Sequence, residues 1–216
     1  MPRTAVTGIV LCLVFAAGVG ILQYLNTELA LRSLELAGTV AFAVVLSAPA
    51  LLALAGLRER PSLLVAAGVL GLVLAFLSSF ALVGLVFVAP AVLFLVAAGQ
   101  LRSEEVRPRG AIAAVLVPVV LGLVAFFALL VHDDPACWAT DAVTGETSRL
   151  EVGVSVEGGS ISVTTPPGTS ESGCSSDVIT PVEGLVAIGI VGLMLGVGWS
   201  LARPTSSRAA PVVPTG

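Results

Sequence analysis

Residues 62–101 read SLLVAAGVLGLVLAFLSSFALVGLVFVAPAVLFLVAAGQL, forty residues without a charged side chain. A single helix of this length would measure about 60 Å, twice the roughly 30 Å hydrocarbon core of a bilayer. Arg60 precedes the stretch and Arg102 follows it. Because positive residues collect on the cytoplasmic side of membrane proteins, both ends are predicted to be cytoplasmic. Length and charge together predict two helices, about 62–78 and 80–101, joined by a tight turn at the Ser-Ser pair.

Further apolar stretches of membrane-spanning length lie on both sides of this hairpin. The chain is 56% hydrophobic and 11% charged, whereas soluble domains carry about 25% charged residues. The first apolar run follows Arg3 and resembles a signal peptide, but it is too long for one and no cleavage site leads into polar sequence. The predicted fold class is an all-α membrane protein, a six-helix transmembrane bundle. Its other four helices are expected at about 5–25, 36–57, 110–131 and 181–202.

The charged residues are sorted by predicted side. Eight of the ten basic residues, all of them Arg, fall in the predicted cytoplasmic segments, which have a net charge of +5 because they also hold three acids. The loop 132–180 has eight acids and one Arg, and Glu183 in the first turn of the last helix adds a ninth acid, so this predicted outer segment has a net charge of −8. This bias predicts a multi-pass protein of the cell membrane with both termini in the cytoplasm. The absence of Lys and the abundance of Ala, Gly, Val and Leu indicate a GC-rich bacterial genome.

The loop 132–180 is the one segment long enough to fold outside lipid. Leu150 to Val156 alternates apolar and polar residues, as a half-buried strand does, and Gly158-Gly159 then predicts a hairpin turn into residues 160–164. A preceding strand near 138–143, turned at Thr144-Gly145, would complete a three-stranded meander, and Pro166 to Ser176 is expected to be irregular. Thr180, Pro181 and Glu183 then fit a capping box at the start of the last helix. The tail 203–216, rich in Pro, Ser and Ala, is predicted to be a disordered cytoplasmic segment.

Two cysteines, Cys137 and Cys174, fall in this outer loop, where thiols oxidise. Redox activity is one reading of the pair, but the spacing lacks the CxxC pattern of redox proteins. The sequence therefore predicts a structural disulfide that closes the loop domain, with Trp138 covering the bond. Cys12 lies inside the first helix and is expected to remain a thiol.

Two polar clusters resemble catalytic or metal-binding motifs. Glu104-Glu105 and Arg109 spell EExxxR, which resembles one motif of the intramembrane CAAX-type proteases. Those enzymes need the motif on a transmembrane helix with His residues nearby, whereas here it falls in a predicted cytoplasmic loop and the single His is on the opposite side. That residue, in His132-Asp133-Asp134, lacks the i, i+3 or i+4 spacing of helical metal ligands. Neither cluster is predicted to be a site.

Three other features are compatible with transport or with plain packing. Glu28, Arg32 and Glu35 share a helix face and are expected to stabilise an interfacial turn. Pro49, Pro90 and Pro118 fall near the middle of predicted helices, where kinks occur in transporters and in closed bundles. The last helix has five glycines, among them the GxxxG pair Gly192 and Gly196, for which packing within the chain is favoured over packing with another chain.

These observations predict no catalytic residue, no cofactor and no metal, and they give no basis for nucleic-acid binding. The chain is expected to be a non-enzymatic envelope protein whose acidic outer loop mediates interaction. The alternative is a small transporter or channel subunit. Predicted partners are the lipid bilayer and a protein that contacts the outer loop or the glycine face of the last helix.

Overall fold

The computed structural model describes most of the chain. The described residues are 2–26, 32–57, 60–78, 83–101, 108–130, 136–150, 156–157, 160–161, 167–175 and 179–202. Within them the protein is mostly helical, with two small sheets between the last two helices. The helices are α1 Arg3–Asn26, α2 Arg32–Leu46, α3 Ala48–Gly56, α4 Pro61–Leu77, α5 Val88–Gln100, α6 Pro108–Leu130 and α7 Pro181–Leu201.

Three of these helices, α1, α6 and α7, are long and apolar enough to cross a membrane, and α2 with α3 makes a fourth if the two count as one bent span. Their composition is compatible with a membrane protein. The two helices of the predicted hairpin, α4 and α5, are shorter. At about 1.5 Å per residue α4 measures about 25 Å, the lower limit for a span.

The predicted second helix is broken at Ser47, where the chain bends by 43° between α2 and α3. Pro49 lacks an amide hydrogen and its ring crowds the carbonyl one turn earlier, so a straight helix cannot pass through this point. The Ser47 hydroxyl donates to the Ala43 carbonyl at 2.7 Å, which satisfies one acceptor beside the break. Pro49 therefore lies at the second residue of α3 rather than in the middle of one helix.

The predicted hairpin of helices is present, with α4 capped at Ser78 and α5 packed antiparallel against it. Gly68 lies against Leu95 and Gly71 against Ala91, so the two backbones approach closely. The second helix begins later than predicted, because a 3-10 turn, Val83–Phe87, precedes α5. Pro90 consequently occupies the first turn of α5, where its missing N–H is tolerated, and the predicted mid-helix kink is wrong. Pro118 does lie inside α6.

The outer loop contains two small sheets. Its strands are β1 Ala136–Asp141, β2 Thr147–Leu150, β3 Val156–Glu157, β4 Ser160–Ile161 and β5 Thr169–Ser175. The larger sheet has the order β2-β1-β5 and is antiparallel, and among the described residues β3 and β4 pair with each other. In this part of the chain β5, and not residues 160–164, completes the larger sheet, so the predicted meander is wrong in its third strand. The segment expected to be irregular supplies β5, because backbone pairing does not require the apolar alternation used to find strands.

The chain forms two compact units, and α1, α6 and α7 each contribute residues to both units. One unit is built from residues 1–10, 49–120 and 193–216, and it contains α3, α4 and α5. The other is built from residues 11–48 and 121–192, and it contains α2 and the sheet.

Candidate functional site

The central strand β1 is covered on both faces. Cys137, Trp138 and Ala139 are all buried, although successive side chains of a strand point to opposite faces. Trp138 lies directly opposite Gly173 of β5, and a Cβ at Gly173 would lie 2.9 Å from the Trp138 ring. The indole therefore occupies the space that any larger residue at position 173 would need. This requirement explains a glycine within a strand that otherwise consists of small polar residues.

Cys137 and Cys174 are direct partners in the β1–β5 register. Directly opposed residues of antiparallel strands have Cα atoms about 4.5–5.5 Å apart, within the range that a disulfide spans. Of the cysteines whose side chains are described, Cys12 is a buried thiol and Cys137 is 1% exposed, and the predicted disulfide is not shown by these residues. The side chain of Cys174 lies outside the described residues. The expectation that Trp138 covers the bond is wrong, because neighbouring residues on β1 face opposite ways.

The turn after β1 is built around Asp141. One oxygen of its carboxylate accepts the backbone N–H groups of Val143 and Thr144, each at 2.8 Å. The hydrogen bond from Thr144, then that from Val143, holds the pKa of Asp141 below its usual value of 3.8. Gly145 completes the turn at φ +68°, a conformation that glycine adopts without strain. The sequence prediction of a turn at Thr144-Gly145 is confirmed.

The capping box predicted at the start of the last helix is confirmed. Glu183 accepts the N–H of Thr180 at 2.7 Å, and the Thr180 hydroxyl accepts the N–H of Glu183 at 3.3 Å. Ile179, just before the cap, is buried against Gly38 of α2. The end of the outer loop is thus fixed both to α7 and to α2.

A contact that the sequence reasoning missed joins Arg60 to the end of α7. The Arg60 guanidinium lies 3.4 Å from the centre of the Trp199 ring and donates to the Trp199 carbonyl at 2.7 Å. Thr4 of α1 donates to the Gln100 side chain of α5 at 3.0 Å in the same unit. Trp near the end of an apolar helix is a recognised interfacial signal, and it could have identified this pair.

The prolines and glycines of the helices pack in two different ways. Pro49 and Pro118 are fully buried. Pro118 lies against Gly198, since a Cβ placed at Gly198 would be 3.0 Å from the Pro118 ring. In contrast, a Cβ at Gly189, Gly192 or Gly196 would meet nothing within 4 Å. The expectation that the GxxxG pair packs within the chain is therefore wrong for the described residues. These three glycines, termed here the glycine face of α7, lie on its exposed side.

The predicted polar clusters receive no support. His132, Glu104, Glu105 and Glu28, and the side chains of Arg32, Glu35 and Arg109, lie outside the described residues. In the described part of the chain no three His, Cys, Asp or Glu side chains come close enough to hold a metal ion. Thr39 of α2 is the buried polar side chain there, 7% exposed, and its hydroxyl has no hydrogen-bond partner.

Comparison with protein-family models, curated proteins and solved structures finds no match for this chain. Its function is therefore inferred from its own residues and contacts.

Proposed function

We propose that the chain is a non-enzymatic, multi-pass protein of the cell envelope whose acidic outer loop, residues 132–180, contacts a partner outside the membrane. The observation that carries this proposal is the order within the loop. β1 is buried on both faces, the Asp141 turn orders the connection from β1 to β2, and the Thr180–Glu183 cap orders the end of the loop. A loop that merely connected two helices would not need these contacts.

The alternative, a transporter or channel subunit, is less favoured by the packing of the prolines. In transporters, helix breaks expose carbonyl groups to a cavity that binds substrate. Here Pro49 and Pro118 are fully buried, and each lies beside a glycine of another helix. Close packing of this kind supports a bundle that holds the outer loop in place.

We propose six spans with both termini in the cytoplasm. Two contacts support it. The Thr4–Gln100 hydrogen bond joins the start of α1 to the end of α5, and the Arg60–Trp199 contact joins the start of α4 to the end of α7. Since α4 and α5 are antiparallel, all four helix ends belong to one end of their unit. Those ends adjoin most of the Arg residues, as the positive-inside rule requires.

The loop domain is proposed to be closed by a Cys137–Cys174 disulfide. The register of β1 and β5 supports it, and so does the burial of Cys137, which is 1% exposed. A bridge across 38 residues would remove chain entropy worth roughly 4 kcal/mol from the unfolded state. That is comparable to the whole stability expected of so small a unit.

We also propose that the glycine face of α7 packs against a helix of another membrane chain. Small residues let helix backbones approach closely in lipid, where interfaces are enriched in them. The open space beside Gly189, Gly192 and Gly196 supports this, since no described residue of the chain fills it.

Crosslinking from the native membrane tests the central proposal. The full chain is compared with a variant in which residues 136–175 are replaced by a Gly-Ser segment of equal length. Loss of the crosslinked partner from the variant, with normal membrane insertion, supports an interacting outer loop. Identical crosslinks from both proteins would refute it and would favour a role for the helices.

A further inference from the structure

The strand β5 forms an edge of the larger sheet. Among the described residues it pairs with β1 alone, in a regular ladder from Ser175 opposite Ala136 to Glu171 opposite Thr140. Beyond Glu171 the register shifts by one residue. Natural proteins protect such edges with Lys, Pro or bulges, because unpaired backbone groups recruit further strands. The segment Glu171–Ser175, ESGCS, contains neither Lys nor Pro, and its pairing with β1 has no shift in register.

At this edge Glu171 and Ser172 are exposed and Gly173 has no side chain. The other edge strand, β2, is shorter and contains Arg149, the one basic residue of the outer loop. Of the two edges, β5 is therefore the longer and the more acidic.

Charge decides which strand would fit. The outer loop has eight acids against one Arg, so an approaching acidic segment is repelled and a basic one is attracted. A second copy of this chain would bring two such acidic loops together, and their mutual repulsion disfavours the pairing of two β5 edges.

We propose that the β5 edge, Glu171–Ser175, binds an extended basic peptide segment by strand addition. This inference rests on the proposed role of the outer loop and names the class of partner. Backbone hydrogen bonds would hold the peptide along β5, and its Lys or Arg side chains would lie near Glu171. Binding would weaken as salt concentration rises.

The test uses the full-length protein in phosphatidylcholine nanodiscs, with empty nanodiscs as the blank. The probe is an acetylated alternating Lys-Thr peptide. Its control is the same peptide methylated on every second backbone nitrogen, which keeps the charge and removes half of the strand donors. The protein variants are Glu171→Lys and, as a matched control, Glu146→Lys, because Glu146 is equally exposed but lies in the β1–β2 turn.

We expect the Lys-Thr peptide to bind the wild type and the methylated peptide to bind more than about tenfold more weakly, because several hydrogen bonds are lost. Glu171→Lys should weaken binding about fivefold, and Glu146→Lys by less than about twofold, the scale of exposed ion pairs. Equal binding of both peptides, equal effects of both variants, or self-association of the wild type through β5 would overturn the proposal. If the native partner crosslinks through the loop and Glu171→Lys does not change the crosslinking, the assignment of the β5 edge as the binding site is wrong, while the proposed function of the loop stands.

Discussion

Arg60 fixes the end of α7 through both its charge and its planar shape. Its guanidinium stacks on the Trp199 indole and donates to a carbonyl in the last turn of the helix, where the helix dipole favours a cation. An ammonium group could provide the charge but not the stacked plane. Arg60 also precedes Pro61 at the start of α4, so one residue determines the geometry of two helix ends.

Substitution of Arg60 should therefore destabilise the protein more than loss of another terminal Arg. We expect Arg60→Ala to lower the free energy of unfolding by about 2 kcal/mol and Arg60→Lys by about half of that. Arg3→Ala is the control, because Arg3 is exposed at the start of α1. Denaturation in detergent measures the difference, and a double-mutant cycle with Trp199→Leu measures the coupling. A coupling energy near zero would show that the contact contributes nothing.

Asp141 should make the outer sheet sensitive to acid. Because folding lowers its pKa, its contribution is fully present above the usual value of 3.8 and is lost as pH falls through the lower folded pKa. We expect the protection of the Val143 and Thr144 amides against hydrogen exchange, relative to their intrinsic rates, to fall below about pH 4. Asp141→Asn, whose side-chain oxygen accepts at every pH, should remove that step. Acid-induced opening that persists unchanged in Asp141→Asn would assign the effect to another carboxylate.

Among the elements, α4 and α5 pack closely against each other. A Cβ at Gly68 would lie 2.6 Å from Leu95 and one at Gly71 would lie 3.0 Å from Ala91. Gly99 near the end of α5 has nothing within 4 Å of its Cβ position. The close packing of α4 on α5 thus requires glycine at positions 68 and 71, whereas no described neighbour requires it at position 99.

That difference gives a matched pair of substitutions. Gly71→Val should cost about 1–3 kcal/mol, because the helices must separate to admit the side chain. Gly99→Ala should be neutral or slightly stabilising, since alanine favours a helix over glycine. Unfolding by steric trapping in bicelles measures both. Equal effects of the two substitutions would contradict the observed packing of α4 on α5.

The sheet provides a separate test through its cysteines. We expect mass spectrometry under non-reducing conditions to find the Cys137 and Cys174 peptides linked and Cys12 as a thiol. Reduction should accelerate proteolysis between β1 and β5, because the strand ladder alone is short. Protein taken from an oxidising envelope in which both loop cysteines react with an alkylating reagent, without reductant, would overturn the disulfide and the outside location of the loop.

The elements that could be predicted from the sequence are those whose patterns lie within a few neighbouring residues. The capping box at Thr180 and the turn at Gly145 were predicted because each involves residues within one turn of each other. The strand β5 was missed because its stability comes from β1, some thirty residues away, and its small polar residues carry no period of two. Pro90 was misjudged for a related reason, since the position of a proline within a helix depends on where the helix begins.

The packing partners of individual residues could not be predicted from the sequence either. The five glycines of α7 look alike in the sequence, yet Gly184 and Gly198 lie against other helices while the glycine face has no described neighbour. Arg60 was predicted only as a topology signal, and its contact with Trp199 joins residues 139 positions apart. Such contacts depend on the arrangement of the whole bundle rather than on any local pattern.

At the scale of the whole molecule, charge and helix length lead to one arrangement. Eight Arg residues belong to the segments predicted inside, and eight acids belong to the single large loop predicted outside. The helix ends joined by Thr4–Gln100 and Arg60–Trp199 adjoin the Arg-rich segments. The hairpin has the shortest helices in this scheme, since the 17 residues of α4 are only just sufficient to span a bilayer core and α5 has 13 residues after its 3-10 turn.

Single cysteines introduced into a Cys12→Ala background test that arrangement in intact cells. With an impermeant maleimide, a cysteine at Gly158 should label at once, because the loop lies outside. A cysteine at Arg107 should label only after the membrane is permeabilised. Position 79 is decisive for the hairpin: if α4 and α5 both span, Ser79→Cys labels from outside, whereas a hairpin that enters and leaves from the cytoplasm leaves it protected. Labelling of Arg107→Cys from outside would reverse the whole topology, since the same positive charges that set the orientation flank that position.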